Sequence, residues 1–181
     1  MRLFISIDPP LEQQRQISKL MQQVGLATLK PTPMEHLHFT LAFLGEQPPQ
    51  KLEEIEQTIA GLEIPPMQLR CEGINWFRSG VIWLRVEPDK SLISFQKKLC
   101  HQLRNTGIQL DSRKYIPHIT LFRCKRKLQA RQLEQVSKVF SGFSFSFTVD
   151  HLLLKKSQLT PEGAKHTVLT EFQPGSEGSN E

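Results

Sequence analysis

Cysteine is scarce in this sequence, and tryptophan and tyrosine are scarcer. The 181 residues include three cysteines, two tryptophans and one tyrosine. Cys71, Cys100 and Cys124 are odd in number, lie far apart and form no CxxC pair. This spacing argues against a disulfide framework and against a structural zinc site. We therefore expect a reducing compartment, and hence a cytoplasmic protein.

Long apolar runs are also missing. The N-terminal run is too short for a signal peptide and ends in an Asp-Pro-Pro break at residues 8–10. No later segment approaches the roughly 18 apolar residues of a membrane span, so no membrane partner is expected. The excess of positive charge is modest, with 23 Lys and Arg against 18 Asp and Glu. It mildly favours anionic partners such as phosphates or nucleic acid.

The length bounds the domain organisation. A chain of 181 residues is expected to form one domain or two intimate lobes with a sizeable core. We assign residues 1–173 to this single domain. Residues 174–181, PGSEGSNE, contain no apolar side chain beyond proline and are predicted to be a disordered tail.

The spacing of apolar residues predicts alternating strands and helices. Strand, helix, histidine-containing strand and helix occur twice, which favours an α+β protein with two sheet-bearing lobes. Residues 31–33, Pro-Thr-Pro, are predicted to be a loop, and residues 151–156 to prolong the strand before them. Strands are predicted over residues 2–8, 35–46, 67–77, 81–87, 117–123, 143–149 and 164–172, and helices after Pro10, after Pro49, from Asp89 to Gly107 and over residues 128–140.

Two short segments share the pattern His-x-Thr-Leu and lie 80 residues apart. They are HFTL, which begins at His38, and HITL, which begins at His118. Side chains two apart on a strand share a face. His38 and Thr40 should therefore project together, as should His118 and Thr120. One such strand is ordinary, whereas two suggest a catalytic site.

Two imidazoles across a cleft can supply a general acid and a general base near neutral pH. Two threonine hydroxyls beside them can donate to the nonbridging oxygens of a phosphate. Such a site needs no metal, no cofactor and no covalent nucleophile. It suits a phosphodiester with an internal leaving group, such as a 2′,3′-cyclic nucleotide end, and its rate should be bell-shaped with both limbs near neutrality.

A metal site is the alternative chemistry for the same histidines. His36 and His38 form an HxH pair, which is metal-ligand spacing on a strand, and His118 could complete a three-histidine site. No carboxylate stands at a matching position, and the second motif has a single histidine. The acid and base interpretation is therefore preferred.

Four other residues are candidates for substrate binding. Arg123 suits a phosphate, but its parity on a regular strand puts it on the face away from His118, so that a bulge would be needed to re-aim it. Trp76 and Phe77, beside a turn, could stack on a base, although core packing is an equal alternative for one of them. Ser157, after two lysines in a late strand, is the fourth candidate.

Taken together, these segments resemble the 2H phosphoesterase superfamily, and within it the RNA 2′,3′-cyclic phosphodiesterases, historically called 2′-5′ RNA ligases. The resemblance rests on RLFISID, HFTLAFLGE, PHITLFR and Leu154-x-x-Ser157, and it extends from Arg2 to about Phe172. It implies a bilobal α+β fold whose lobes, each with an antiparallel sheet and helices, are related by a pseudo-two-fold axis and enclose a catalytic cleft.

The resemblance also implies residue roles. His38 would donate a proton to the leaving 3′ oxygen, His118 would activate water, and Thr40 and Thr120 would bind the phosphate. The product would be an RNA that ends in a 2′-phosphate. Members often carry a tyrosine in the last strand near His166, where this chain has none.

Three other functions remain open on the sequence. The protein could capture an RNA end without turnover, join 2′-5′ linked halves, or act on a small cyclic nucleotide. The expected partner in each case is RNA with a 2′,3′-cyclic phosphate end or a related nucleotide. A monomer is expected.

Overall fold

The computed structural model describes residues 1–174, which form an α+β fold of nine strands and four α-helices. Residues 175–181, most of the predicted tail, lie outside the described residues. The strands are β1 (Arg2–Ile7), β2 (Leu29–Pro31), β3 (Phe39–Glu46), β4 (Gln68–Trp76), β5 (Val81–Val86), β6 (His118–Cys124), β7 (Ser144–Thr148), β8 (Leu152–Thr160) and β9 (Gly163–Phe172). The helices are α1 (Leu11–Val24), α2 (Leu52–Ala60), α3 (Lys90–Asn105) and α4 (Ala130–Val139).

Local sequence signals account for several element boundaries. The Asp89 carboxylate accepts hydrogen bonds from the backbone N–H groups of Ser91 and Leu92 and so caps α3, as an N-cap aspartate should. Gly80 closes the β4–β5 hairpin with φ of 90°. A Cβ at Gly80 would lie 2.9 Å from the carbonyl oxygen of Cys124, so that both the backbone angle and the space there require glycine.

The strands form two antiparallel halves. The first half has the order β3-β1-β8-β9, and the second has the order β7-β4-β5-β6, with the short β2 added to β6. Each half contains one of the two His-x-Thr strands at its inner edge. The predicted two-lobed α+β arrangement is therefore confirmed.

The two halves meet at a single pair of residues. Phe39 on β3 pairs with Ile119 on β6 in antiparallel orientation, and this one pair joins the halves into a continuous nine-stranded sheet. Both side chains are fully buried. Because antiparallel strands are related by a local two-fold axis, the residues on either side of this pair are brought into equivalent positions.

The helices cover the buried face of the sheet. In the first half, α3 contacts β3 and α2 contacts β9. In the second half, α4 contacts β4, and α1 packs on α4. The helix that follows β1 therefore packs against a helix of the other half, which ties the two lobes together behind the sheet.

Two predictions about the strands are wrong. Pro31 does not lie in a loop, since it ends β2 and pairs with Phe122 of β6; a proline is tolerated at the end of an edge strand. Residues 151–156 do not prolong β7, because β8 is a separate strand that pairs with β1 and β9 in the other half. Alternation of apolar and polar residues indicates an extended backbone. It does not indicate which other strand pairs with that segment.

No helix within residues 1–174 is long and apolar enough to cross a membrane.

Candidate active site

The two motifs lie side by side at the junction of the halves. His38 and Thr40 flank Phe39, and His118 and Thr120 flank Ile119 across the pair that joins β3 to β6. Since Phe39 and Ile119 point into the core, alternation puts the two histidines and two threonines on the opposite, accessible face. The structure thus brings together the four residues that the sequence selects.

His38 is held by hydrogen bonds on both ring nitrogens. Its Nδ1–H donates to the carbonyl oxygen of His36 at 2.6 Å. A carbonyl can only accept, so in the neutral ring Nε2 is the acceptor. The hydroxyl of Thr40, 3.2 Å from this Nε2, is then the donor. The Nε2 of His38 therefore carries no proton, and its lone pair is held by the threonine hydroxyl.

His118 shares the Nδ1 contact of His38. Its Nδ1–H donates to the carbonyl oxygen of Ile116, also at 2.6 Å. In each motif the acceptor is the residue two positions before the histidine. This repeated contact fixes the same tautomer in both rings and leaves each Nε2 available for proton transfer.

Aromatic rings enclose each histidine. His118 lies 5.0 Å from Phe77 and 5.4 Å from Trp83, measured between ring centroids. His38 lies 5.2 Å from Phe4 and 5.6 Å from His166. These rings shield the imidazoles from water, which is the physical origin of the shifts in their pKa values.

The surroundings of His38 favour its neutral form. Burial lowers the pKa of His38 to about 3, and the positive charge of Lys155 acts in the same direction. Lys155 is buried and its Nζ lies 2.7 Å from the Asp8 carboxylate. Sequence reasoning gave no signal for this ion pair, because its two residues are distant in the chain.

The pKa of His118 is also lowered, chiefly by burial. The hydrogen bond to Ile116 opposes this shift, and the positive charge of Arg123 adds to it. Arg123 is therefore within electrostatic range of His118, although regular alternation would put it on the other face.

A β-bulge in β6 explains the position of Arg123. Trp83 pairs with Thr120 and Ile82 with Phe122, so that Leu121 has no partner on β5. Val81 pairs with Arg123 and lies on the same face of β5 as Trp83. The bulge thus turns Arg123 onto the face of His118 and Thr120, which answers the question that the sequence left open.

The first motif strand carries a bulge at the equivalent position. Ser6 pairs with Thr40 and Ile5 with Ala42, so that Leu41 has no partner on β1. Phe43 pairs with Phe4, and it is thereby turned onto the face of Thr40. Phe43 is 64% exposed. Sequence reasoning missed it, although aligning HFTLAF with HITLFR gives Phe43 and Arg123 the same position.

The premise of a three-histidine metal site is wrong. His36 lies in a 3-10 turn, Met34–His36, and β3 begins only at Phe39, so that His36 and His38 are not an HxH pair on one strand. Its ring stacks on His166 instead, at 4.3 Å between centroids. Within residues 1–174, no group of three or more His, Cys, Asp or Glu side chains is arranged to hold a metal ion.

The other candidates for substrate binding fall into two groups. Phe77 lies against His118, and Ser157 pairs with His166 on the face of Lys155. Trp76 pairs with the core residue Ile82 and so belongs to the opposite face of the sheet, away from the histidines. Because neighbouring side chains point to opposite faces, Trp76 and Phe77 are separated. The sequence alone could not decide which of the two faces the histidines.

Tyr115 is a further residue that the sequence did not single out. Its hydroxyl donates to the backbone carbonyl oxygen of Thr40 at 2.8 Å, and burial raises its pKa above the ordinary tyrosine value. This hydrogen bond links the segment before the second motif to the first motif. It holds the two lobes in register at the site.

The chain is similar to known proteins over nearly its whole length. Residues 9–159 match the family model of the 2′-5′ RNA ligase superfamily. The RNA 2′,3′-cyclic phosphodiesterase of Methanocaldococcus jannaschii is 32% identical over 95% of this chain and 100% of its own length. The Escherichia coli protein of the same name is 30% identical over 93% of each chain.

Solved structures show the same fold. The crystal structure of Escherichia coli LigT complexed with 3′-AMP has a TM-score of 0.82 and 28% identity, and it covers 96% of this chain and 97% of that one. A crystal structure from Thermus thermophilus has a TM-score of 0.79 and 25% identity, with the same coverage. With its paired motifs on one face of a two-lobed sheet, the chain belongs to the 2′-5′ RNA ligase superfamily of 2H phosphoesterases.

Proposed function

We propose that this protein hydrolyses the 2′,3′-cyclic phosphodiester at an RNA end to a 2′-phosphomonoester. The observation that carries the proposal is the pair of His-x-Thr motifs on one face, with the same Nδ1 contact in each. The names of the relatives from Methanocaldococcus jannaschii and Escherichia coli support the substrate class.

The reaction needs a general base that removes a proton from water and a general acid that gives a proton to the leaving 3′ oxygen. His118 Nε2 accepts a proton from water as the water oxygen forms a bond to phosphorus. The bond between phosphorus and the 3′ oxygen breaks, and His38 Nε2 donates a proton to that oxygen. The products are a 3′-hydroxyl and a 2′-phosphate, and exchange with solvent restores the two imidazoles.

Three side chains are suited to hold the phosphate. The hydroxyls of Thr40 and Thr120 can donate to its nonbridging oxygens, where negative charge increases in the transition state. Arg123, turned onto this face by the bulge, adds a guanidinium that suits phosphate oxygens. No step of this mechanism uses a metal ion or a cofactor.

The bound phosphate also changes the charge state of His38. In the free protein, burial and Lys155 keep its pKa low, so that the ring is neutral at pH 7. A phosphodiester anion beside the ring favours the imidazolium and raises the pKa. The proton donor is therefore formed in the complex with substrate.

Two aromatic side chains are suited to stack on nucleobases. Phe77 lies beside His118 in the second lobe, and the exposed Phe43 lies 6.2 Å from Phe4 in the first lobe. Stacking on an aromatic ring does not discriminate between bases, because every base has a π-face. Ser157 is retained as a polar contact on the same face, whereas Trp76 is left out because it lies on the opposite face.

A direct assay tests the proposal. A short RNA with a 2′,3′-cyclic phosphate end is incubated with the protein in excess EDTA, and the product is compared with authentic 2′- and 3′-phosphate standards. We expect the 2′-phosphate alone. Stoichiometric binding without turnover would favour the RNA-end binding function, and loss of activity on chelation would contradict the histidine mechanism.

The same assay separates the related activities. A panel of RNA ends, small cyclic nucleotides and 2′-5′ linked halves distinguishes the RNA phosphodiesterase from a cyclic-nucleotide phosphodiesterase and from a ligase. We expect the highest kcat/KM for RNA ends, since the cationic and aromatic groups beyond the four motif residues suit a polynucleotide.

The proposal also includes the oligomeric state, the compartment and the domain organisation of the protein. Both motifs come from one chain, so a monomer is sufficient for activity, and light scattering tests this. All three cysteines are free, which fits a reducing, cytoplasmic compartment. A single domain over residues 1–173 is expected to unfold in one cooperative transition.

A further inference from the structure

His166 lies at the end of a set of contacts that leads to His38. Its ring stacks on the ring of His36, with centroids 4.3 Å apart and planes 25° apart. It also meets Phe4 edge to face at 4.8 Å. His36 lies in the 3-10 turn before β3, and His166 lies on β9. The stack therefore connects the outermost strand of the first lobe with the turn that precedes the motif.

The same residue that His166 stacks on also orients His38. The carbonyl oxygen of His36 accepts the hydrogen bond from His38 Nδ1–H at 2.6 Å. A shift of the turn would move this carbonyl and weaken the preference for the tautomer in which Nε2 carries no proton. The position of the His36 ring and the orientation of His38 are thus coupled through one residue.

The second lobe holds the equivalent carbonyl in another way. There the acceptor is the carbonyl oxygen of Ile116, and the next residue is Pro117, which is buried. A residue that precedes proline is restricted to extended conformations, so the chain itself limits the movement of this carbonyl. In the first lobe Leu37 stands at the position of Pro117, and this restriction is missing.

The burial of His166 argues that its ring face is what contributes. Its Nδ1 is buried and has no hydrogen-bond partner, a property shared within residues 1–174 only by Trp83 Nε1. An unpaired buried polar atom is destabilising. This nitrogen is closed to substrate, so hydrogen bonding through it does not explain the residue. The stack of its ring on His36 explains why an aromatic ring is held at position 166.

We propose that His166 is a positioning residue for the first motif: its stack on His36 fixes the carbonyl that orients His38, as Pro117 does for His118. The proposal rests on the proposed function for its effect on catalysis. Its structural part, the orientation of His38, is independent of the reaction.

Three variants separate the ring face from bulk and from the imidazole nitrogens. His166→Leu keeps apolar volume but lacks a flat ring, His166→Ala removes both, and His166→Phe keeps the ring face. His101→Ala, at an exposed position on α3, is the matched control. Thermal unfolding of each variant checks that it is folded, and His166→Leu remains informative if His166→Ala does not fold.

The first readout is kinetic. We expect His166→Leu and His166→Ala to lower kcat for the cyclic phosphate about tenfold to a hundredfold through misplacement of His38, with KM changed by less than about twofold. His166→Phe and His101→Ala should retain kcat near that of the wild type. Wild-type kcat in the folded Leu variant, or equal loss in the Phe variant, would overturn the proposal.

The second readout does not require activity. The 15N chemical shifts of the His38 ring in the free protein report which nitrogen carries the proton. We expect the Nδ1–H tautomer in the wild type and in His166→Phe, and a mixture of tautomers in His166→Leu. Unchanged shifts in the Leu variant would overturn the proposal even if the wild type proved inactive on cyclic phosphates, so the two failures are distinguishable.

Discussion

At the scale of single residues, the two histidines share one hydrogen bond and differ in the cations near them. Each Nδ1–H donates to a carbonyl two residues earlier. Lys155 acts on His38 from within the first lobe, and Arg123 acts on His118 from the bulged end of β6. Both cations lower the pKa of their histidine, which favours two neutral imidazoles in the free protein.

Replacing Arg123 tests its effect on His118. Arg123→Gln removes a positive charge that opposes protonation, so the pKa of His118 should rise. An NMR titration of the free protein measures this pKa, and Arg126→Gln, at a nearby exposed position, is the control. An unchanged midpoint in Arg123→Gln would mean that the bulge does not bring the guanidinium near the ring.

The pH dependence of the reaction should differ between free and bound protein. The free protein has the pKa of His38 lowered to about 3, and that of His118 is lowered as well, so the limbs of kcat/KM should lie below neutrality. The bound phosphate raises both pKa values, so the limbs of kcat should lie at higher pH. Superimposable profiles for the two parameters would contradict this account.

At the scale of elements, the bulges at Leu41 and Leu121 determine which side chains lie on the face of the two histidines. Leu41 and Leu121, the extra residues of the two bulges, each have a backbone carbonyl that accepts from a donor outside β1 and β5. Gln96 of α3 donates to the carbonyl of Leu41 at 3.1 Å, and the backbone N–H of Thr32 donates to that of Leu121 at 2.8 Å. The hydrogen-bond donor is thus a helix side chain in the first lobe and a backbone N–H just after β2 in the second lobe.

Gln96 should therefore contribute to stability. Gln96→Leu keeps the size of the side chain but removes a donor to a partly buried carbonyl, and we expect a loss of about 1–3 kcal/mol in the free energy of unfolding. Urea denaturation measures the loss against Gln22→Leu, an exposed position on α1. Equal stabilities of the two variants would show that the Leu41 carbonyl does not depend on Gln96.

The helices, strands and bulges differ in how well the sequence predicts them. Apolar periodicity and capping residues such as Asp89 predicted all four helices, because those signals are local. The His-x-Thr repeat selected the four central residues of the candidate site for the same reason. A bulge depends on the register of two strands, so the facing of Arg123 and Phe43 could not be read from one strand. His166 gave no signal, since its contact with His36 joins residues 130 positions apart in the chain.

At the scale of the whole molecule, two lobes joined by one residue pair bring together motifs that are distant in the chain. The continuous sheet puts His38 and His118 on one face, and Tyr115 adds a hydrogen bond across the junction. The sequence predicted two lobes but not their strand content. The order β3-β1-β8-β9 returns the end of the chain to its beginning, which no local pattern can report.

Half-buried histidines with lowered pKa values should make the stability of the whole protein depend on pH. The pKa values of His38 and His166 are lowered to about 3 and about 4 in the folded state. Below about pH 6.5 the unfolded chain binds protons that the folded protein does not. The free energy of unfolding should therefore fall from pH 7 to pH 5, by at most about 1.4 kcal/mol per pH unit for each histidine.

His166→Phe checks this prediction. The variant loses one titrating group, so its stability should decrease less steeply between pH 7 and pH 5 in urea denaturation. His101→Ala, at an exposed position on α3, is the matched control variant. Identical slopes for wild type and His166→Phe would exclude a buried neutral imidazole at position 166.

The central claim is that the two motifs act as one acid and base pair on a cyclic phosphodiester. Its most direct test is the rate of hydrolysis of an RNA 2′,3′-cyclic phosphate end, in excess EDTA, by His38→Ala, His118→Ala and the double variant. Each single variant should stay folded and lose on the order of a hundred to ten thousand fold in kcat. The double variant should be little slower than the slower single variant, because residues that act as a unit are not additive. Near wild-type turnover by either folded single variant would contradict the account.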